Sequence, residues 1–271
     1  MNFYTTILGN GAAIPTLTQH CSGQAVNVNG CRILLDCGEG IQSQMRRYHQ
    51  KIQSLHIVCI SHLHGDHFFG LPGLLATLHL LGRRHPLTVV GPQGIREGLL
   101  AMISISGTQI DYELQVIELA HSDCRQVAQH PRCRIMAFPL AHSVPTYGYI
   151  LEEIPRSQSR PRRMAYCTDT GLFDGLAQSV SGVDMLCLES TFADDMTAVA
   201  MEKQHLTASQ AATVAAEANV GQLLLTHFSA RYNDQSIFLD QARPLFANTR
   251  LAVEGDQVPI GYDATTSIPS V

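Results

Sequence analysis

The stretch Ser61–His67 reads Ser-His-Leu-His-Gly-Asp-His and directly follows the apolar run Leu55–Ile60. An apolar run of this length predicts a buried strand, and the polar residues after it predict a loop at the end of that strand. Imidazole and carboxylate groups are the ligands that zinc takes. The stretch supplies more such groups than one catalytic zinc needs from a short loop, so the spacing predicts two adjacent metal ions.

The alternative is a polar surface loop that is merely rich in histidine. Alternation along an extended loop sends His62, His64 and Asp66 to one side, and His67 then turns in beside them. That convergence favours a metal site over a solvated loop.

The composition predicts a folded chain with a large core. The protein has 271 residues, of which 45% are hydrophobic and 15% are charged, and these values exclude global disorder. We expect no membrane segment, because no apolar run approaches the length of a bilayer crossing. The N-terminus has no signal-peptide pattern, and the eight cysteines form no CxxC pair. We therefore expect a cytoplasmic protein with reduced thiols.

The net charge of −5 argues mildly against a nucleic-acid binder that is basic overall. Local basic clusters exist nevertheless, and the densest lies in the loop of residues 154–163, which contains Arg156, Arg160, Arg162 and Arg163. This loop is either a solvated connection or a patch that contacts phosphates. The sequence leaves both interpretations open.

The order of predicted elements indicates an α/β fold with one domain over residues 1–271. Hairpin strands begin each half of the chain, and helices separate the later strands, which predicts two sheets with helices on both outer faces. The predicted strands are Phe3–Leu8, Gln24–Val28, Arg32–Asp36, Leu55–Ile60, Leu87–Val90, Glu113–Leu119, Arg134–Pro139, Thr146–Leu151, Met164–Thr168, Met185–Glu189, Gln222–Thr226 and Leu251–Val253. The predicted helices are Glu39–His49, Gly70–Leu81, Pro92–Ile103, Gly175–Val180, Thr207–Ala218 and Gln235–Phe246, with Thr207 as a helix cap.

Three further candidate ligands, His142, Asp169 and His227, follow the ends of later apolar strands. Each one alone is best explained as a hydrogen-bonded loop residue. Together with the Ser61–His67 stretch they complete two nearly equal ligand sets. The first set is His62, His64 and His142, and the second is Asp66, His67 and His227. Asp169 can bridge both metals, because a carboxylate has two oxygens.

In order and residue type, these positions resemble the metallo-β-lactamase superfamily. Further segments resemble one branch of it, ribonuclease Z, which removes 3′ trailers from precursor tRNA; they are Phe68–Gly73, Leu188–Phe192, His205–Thr207 and Thr226–Tyr232. The resemblance implies a four-layer αββα sandwich with two mixed sheets. It also implies two Zn²⁺ ions per subunit (with Mn²⁺ tolerated by the same ligands), precursor tRNA as the substrate and a homodimer.

The resemblance implies that the chain is a zinc-dependent endoribonuclease. Two divalent metals about 3.5–4 Å apart can hold a shared water and lower its pKa, so that hydroxide attacks the phosphodiester. Asp66 suits metal ligation together with general-base work. His205 is the candidate acid that protonates the departing 3′ oxygen, and Glu189 would orient its ring. The alternatives are a surface histidine ahead of a helix and a solvated carboxylate at a strand end.

Two departures from the ribonuclease Z pattern are visible. The segment Pro15–His20 lacks the Lys and Arg that relatives often carry there, so discrimination against mature CCA ends is open. The long flexible arm of many relatives is replaced by the short loop 154–163. The arm is naturally absent, has been deleted, or is omitted from the sequence as given. Without the arm, we expect weaker tRNA binding, because phosphate contacts are lost, and intact metal chemistry.

Other functions remain as alternatives. A generic metal-dependent phosphodiesterase or exonuclease would use the same ligands, and a catalytically silent binding protein would be expected to lack at least one of them. The helices Glu39–His49 and Gly70–Leu81 could pair in a dimer or pack on their own sheet. Asp36 is either a turn residue or a support beneath the metal site.

Overall fold

The computed structural model describes residues 3–155 and 158–261, so Arg156 lies outside the described residues. The strands, numbered β1 to β16 in chain order, are Phe3–Gly9, Gly11–Ala12, Gly23–Val28, Cys31–Leu35, Ile57–Cys59, Leu87–Pro92, Leu114–Leu119, Arg125–His130, Cys133–Pro139, Tyr147–Glu153, Arg163–Cys167, Met185–Glu189, Leu223–Thr226, Phe228–Ser229, Thr249–Leu251 and Gln257–Pro259. The α-helices, numbered α1 to α8, are Ile41–Arg47, Gly65–Phe68, Gly70–Leu80, Ile95–Ile105, Leu176–Ser179, Thr197–Glu202, Ala208–Glu217 and Ser236–Ala242.

Two seven-stranded sheets contain almost all of these strands. The first has the order β16-β1-β3-β4-β5-β6-β7, and the second has the order β15-β13-β12-β11-β10-β9-β8. In the first sheet the pairs from β16 to β4 are antiparallel and those from β4 to β7 are parallel. In the second sheet the pairs from β8 to β11 are antiparallel and the remainder are parallel. Both sheets are therefore mixed, as expected.

The central core lies between the two sheets. Side chains of a strand alternate between its faces, and β4 shows this directly. Ile33 and Leu35 face the second sheet and join a cluster that includes Tyr149 and Tyr166. Leu34 faces the opposite way, into a separate cluster beneath the helices. Each of these aliphatic side chains is fully buried, which stabilises the fold by about 1.5–3 kcal/mol per side chain.

Helices cover the outer face of each sheet. Buried residues of α1, α3 and α4 pack against the first sheet, and buried residues of α5, α7 and α8 pack against the second. The α7 helix presents four buried alanines, Ala208, Ala211, Ala212 and Ala215, which let it lie close to its sheet. The result is the predicted four-layer αββα arrangement, and the predicted fold class is confirmed.

Several boundaries differ from the sequence predictions. The last predicted strand, Leu251–Val253, is wrongly placed, because the strand β15 spans Thr249–Leu251 and residues 252–253 follow it. The helix predicted at Pro92 begins at Ile95, because β6 continues to Pro92 and Gly94 then turns the chain at φ 96°. The strands Arg125–His130 and Gln257–Pro259 were not predicted, because their short polar sequences lie at sheet edges, where apolar patterning is weak.

Within residues 3–155 and 158–261, no helix has both the length and the apolar character needed to cross a bilayer. The assignment of residues 1–271 to a single domain stays a prediction.

Candidate metal centre

The predicted ligands lie in loops that follow strands of both sheets. The Ser61–His67 stretch follows β5 of the first sheet, whereas His142, Asp169 and His227 follow β9, β11 and β13 of the second. Ligands of α/β proteins commonly bind where parallel strands end at their carboxyl edge. The two sheets present these ends to the same place, so all seven predicted ligands meet there.

One group of potential ligands contains His62, His64, His142 and Asp169. Each residue offers one atom, and these atoms lie within 4.8 Å of one another. The Nε2 atom of His62 lies 2.9 Å from Nδ1 of His64 and 3.3 Å from Oδ2 of Asp169. The Nε2 atom of His142 lies 3.6 Å from the same carboxylate oxygen. This group is the first predicted set together with the bridging aspartate.

A second group contains Asp66, His67 and His227, again with ligand atoms within 4.8 Å of one another. The Oδ2 atom of Asp66 lies 3.2 Å from Nε2 of His67 and 3.6 Å from Nε2 of His227. The Oδ1 atom of Asp169 lies 3.0 Å from Nε2 of His227 and 3.4 Å from that of His67. The two oxygens of Asp169 therefore face different groups, which is the geometry that a bridging carboxylate needs.

The residues present fit metal cations. Both ring nitrogens of His142 are buried without a hydrogen-bond partner among the described residues, and such an unsatisfied polar group costs about 1–3 kcal/mol. A cation at Nε2 would satisfy one of them. Burial and the neighbouring His67 lower the pKa of His62 to about 4, so this imidazole is neutral and keeps a lone pair for a metal.

Asp36 supports the second group from below. Its fully buried carboxylate accepts hydrogen bonds from Nδ1 of His67 at 2.8 Å and from the Tyr166 hydroxyl at 2.9 Å. The backbone N–H and the hydroxyl of Ser61 also donate to it, at 2.7 and 2.9 Å. In the neutral ring, donation from Nδ1 leaves the Nε2 lone pair of His67 free for a metal, which is the arrangement expected behind a metal-binding histidine. The supporting role considered for Asp36 matches this geometry.

A chain of hydrogen bonds from Glu189 through Thr191 orients His227. The Thr191 hydroxyl donates its proton to Oε2 of Glu189 at 2.7 Å. It must then accept from Nδ1 of His227, which lies 2.9 Å away. Nε2 of His227 is consequently left to face Asp66 and Asp169. The sequence predicted no role for Thr191 or Tyr166, because both are common residue types that act only through this packing.

His205 and Glu189 form a buried pair beside the ligand groups. Nδ1 of His205 lies 2.9 Å from Oε1 of Glu189, and 14% of the His205 side chain is exposed. Burial alone would lower the pKa of His205, but the Glu189 carboxylate outweighs it and the pKa is raised. Burial likewise would raise the pKa of Glu189, and His205 instead holds it below its usual value. The pair therefore favours a protonated ring opposite a carboxylate.

Three residues of the site adopt left-handed backbone conformations. Asp36, Asp169 and His227 have φ values of 55°, 55° and 60°. Such conformations cost about 1–3 kcal/mol each in residues with a Cβ, and they persist where the surrounding structure fixes them, commonly at functional sites. Here each one turns a side chain sharply out of a strand end and into the ligand groups.

The two ligand groups and His205 open into a cavity of about 540 Å³. Residues 12–14 form one wall, and the backbone N–H of Ala13 donates to Oδ2 of Asp66 at 2.8 Å. The segment Pro15–His20 continues from this wall, and Glu254 accepts from the N–H of His20 at 2.6 Å and pairs with its ring at 2.8 Å. The segment without Lys or Arg therefore follows the wall that contacts Asp66, and Glu254 anchors its last residue, His20.

The described arginines of the loop 154–163 face carboxylates. Arg162 pairs with Glu153 at 2.7 Å, with both side chains buried. Arg160 pairs with Asp184, and Arg163 lies 3.8 Å from Glu152. These pairs offset the charge of the loop and favour its structural interpretation over a phosphate-binding patch.

Comparison with known proteins agrees with this geometry. A β-lactamase superfamily domain matches residues 31–228. A ribonuclease Z of Bacteroides fragilis (strain YCH46) is 35% identical, over 93% of this chain and 97% of that protein. A ribonuclease Z of Porphyromonas gingivalis (strain ATCC BAA-308 / W83) is 34% identical, over 93% of this chain and 97% of that protein. The crystal structure of the short form of human tRNase Z covers 96% of this chain and 100% of its own, with a TM-score of 0.82 and 29% identity.

The alignments also show a difference in length. The alignment with the Bacteroides protein spans 295 positions, whereas this chain has 271 residues, so that relative carries residues that are absent here. Identity above 30% over nearly the whole of both proteins is sufficient to establish the relationship. The chain belongs to the ribonuclease Z family of the β-lactamase superfamily.

Proposed function

We propose that this protein is a zinc-dependent endoribonuclease that removes the 3′ trailer from precursor tRNA. Its family membership supports a metal-dependent nuclease that processes tRNA. The observation that carries the finer proposal is the His205–Glu189 pair, whose histidine lines the same cavity as both ligand groups. This pair can supply a proton to an alkoxide leaving group, which hydrolysis of an RNA phosphodiester requires.

We propose His62, His64 and His142 as ligands of one metal, and Asp66, His67 and His227 as ligands of the other, with Asp169 shared. When bound, the two cations would activate water and offset charge on the phosphoryl oxygens. Zinc suits this donor set, and manganese would accept the same residues.

The residues of the chain would then perform the remaining steps. Asp66, which lines the cavity with its Oδ2 3.2 Å from Nε2 of His67, accepts the proton of the attacking water. His205 gives its Nε2 proton to the departing 3′ oxygen while Glu189 holds the Nδ1 proton. The products are a tRNA with a 3′-hydroxyl and a trailer with a 5′-phosphate. Glu189 itself is fixed by the N–H groups of Thr170 and Leu206, at 2.7 and 3.0 Å.

We further propose a homodimer in the cytoplasm. All eight cysteines are free thiols, which agrees with a reducing compartment. The buried residues of α3 pack on its own sheet, but Phe69 and Leu80, at the two ends of this helix, are 61% and 80% exposed. These two apolar side chains could contact a second subunit.

The decisive experiment is mapping of the 3′ end of a precursor tRNA after incubation with the protein. We expect one cut directly after the discriminator base, abolished by a chelator and restored by Zn²⁺. Trimming with no defined endpoint would instead favour the alternative, a generic metal-dependent phosphodiesterase or exonuclease. Hydrolysis of bis-p-nitrophenyl phosphate would test the metal chemistry apart from tRNA binding.

A further inference from the structure

The cavity above the ligand groups is rich in carboxylates. Asp66 and Asp169 line it, and the buried Glu189 lies behind His205. A substrate phosphate approaching these groups is repelled unless cations offset them. Among the described residues that line this cavity, two side chains carry a fixed positive charge, namely Lys203 and Arg231.

The side chains of Lys203 and Arg231 differ in their contacts with the rest of the protein. The guanidinium of Arg231 lies over the ring of Phe192, 5.6 Å from its centroid, and is therefore positioned by a cation–π contact. Lys203 has an exposed side chain. Within residues 3–155 and 158–261, no acidic group lies within ion-pair distance of its ammonium. Its charge is thus available to a ligand.

The backbone fixes Lys203 next to the proposed acid. Lys203 directly follows α6, and its N–H donates to the carbonyl of Val199 at 3.0 Å. Gln204 then turns the chain in the left-handed conformation, with φ 57°. His205 follows, and its N–H donates to the carbonyl of Ala200 at 2.8 Å. The two side chains therefore lie on one wall of the cavity.

This wall corresponds to one side of the cleaved bond. In an in-line displacement, the nucleophile and the leaving oxygen lie on opposite sides of the phosphorus. Since His205 protonates the leaving 3′ oxygen, its wall faces the nucleotide that retains that oxygen. A cation beside His205 then faces the retained RNA and not the trailer.

Resting on the proposed function, we propose that Lys203 binds the phosphate immediately 5′ of the last retained nucleotide. It would hold the retained strand so that the 3′ oxygen meets His205. An ammonium on a flexible stem suits a phosphate contact of this kind, as a point charge that carries no base specificity.

The test compares Lys203→Ala with Lys51→Ala. Lys51 is the other lysine of the chain, is also exposed and does not line the cavity. We expect Lys203→Ala to lower kcat/KM on precursor tRNA about tenfold and to reduce the salt slope of binding by about one. We expect Lys203→Arg to restore most of the loss, and Lys51→Ala to match the unsubstituted protein. Equal values for the two alanine variants would overturn the proposal.

A modified substrate locates the contact. A precursor tRNA with an uncharged methylphosphonate linkage 5′ of the last retained nucleotide should be cut more slowly by the unsubstituted protein. The same modification should change the cleavage rate of the Lys203→Ala variant little, because the ammonium that contacts this phosphate is already absent. An equal cost in both proteins would refute the assignment of this phosphate. Failure of the unsubstituted protein to cut unmodified precursor tRNA would instead refute the proposed function.

Discussion

Glu189 fixes the geometry of two histidines from within the protein interior. One of its oxygens faces Nδ1 of His205, and the other accepts from the Thr191 hydroxyl that contacts His227. A carboxylate held by several donors cannot shift without breaking them all, so its position is well defined. The proposed acid and a proposed metal ligand are thereby coupled through one buried group.

Replacing the proposed acid gives a test that depends on the leaving group. We expect His205→Ala to lower kcat on precursor tRNA by about 10²–10⁴-fold, the usual contribution of a general acid. The loss on bis-p-nitrophenyl phosphate should be much smaller, because nitrophenolate departs without a proton. Steady-state kinetics on both substrates measure the difference. Equal losses at unchanged metal content would argue against an acid role.

Asp36, which accepts from Nδ1 of His67 in the second ligand group, gives another test. Asp36→Asn keeps the size of the side chain but weakens the acceptor of His67 Nδ1, so we expect metal affinity to fall about 10–100-fold. Competition with a chromophoric chelator measures this affinity. Tyr166→Phe removes a single donor to the same carboxylate and should have a smaller effect. A larger effect of Tyr166→Phe would contradict this account.

At the scale of elements, the start of α7 shows how a short sequence pattern sets a boundary. The Thr207 side chain accepts from the N–H of Gln210, and the Gln210 side chain accepts from the N–H of Thr207. This reciprocal capping box satisfies two N–H groups that the first helical turn leaves unpaired. The helix begins where the sequence predicted, with Thr207 as its cap.

Removal of this cap should destabilise the fold. We expect Thr207→Ala to lower the free energy of unfolding by about 1 kcal/mol, as for other threonine caps. Thr213→Ala on the same helix is the matched control, because its exposed hydroxyl only bonds a carbonyl within the helix. Urea unfolding measures both variants. Equal changes would show that the cap contributes nothing of its own.

The sequence predicted the elements whose patterns are local, and it missed those that depend on distant partners. Buried strands such as β5 and β12 were evident from their apolar runs. The strand Arg125–His130 was missed because its alternation is polar and its pairing partner alone defines it. The ligand types were visible at strand ends, but Ser61, Thr191 and Tyr166 became supporting groups only through three-dimensional packing.

At the scale of the whole molecule, one buried ion pair joins the loop 154–163 to both sheets. Glu153 ends β10 of the second sheet, and its carboxylate also accepts from Asn29 in the β3–β4 hairpin. Arg162 lies over the ring of Phe3 in the first sheet and donates to the carbonyl of Ile260. The short connection is therefore a structural tie between the sheets.

The contribution of the Glu153–Arg162 ion pair to folding stability decreases in acid. The hydrogen bond from Arg162 lowers the pKa of Glu153 below its usual value. The pair therefore stabilises the fold above the unfolded-state pKa of about 4.3, and this stability is lost as the pH falls through the lower folded-state value. We expect Glu153→Gln to lower the free energy of unfolding by about 3 kcal/mol at pH 7. The loss should become progressively smaller as the pH falls. Urea midpoints across pH measure it, and a pH-independent deficit would contradict the assignment.

The candidate ligands are divided between the two halves of the chain. Residues 3–119 contribute one share of the ligands and residues 125–261 contribute the other, and only a short connection joins them. Neither half alone contains all members of either proposed ligand set. Two co-expressed fragments cut between residues 120 and 124 should therefore regain tight metal uptake only on reassociation, which makes the centre a reporter of fragment complementation.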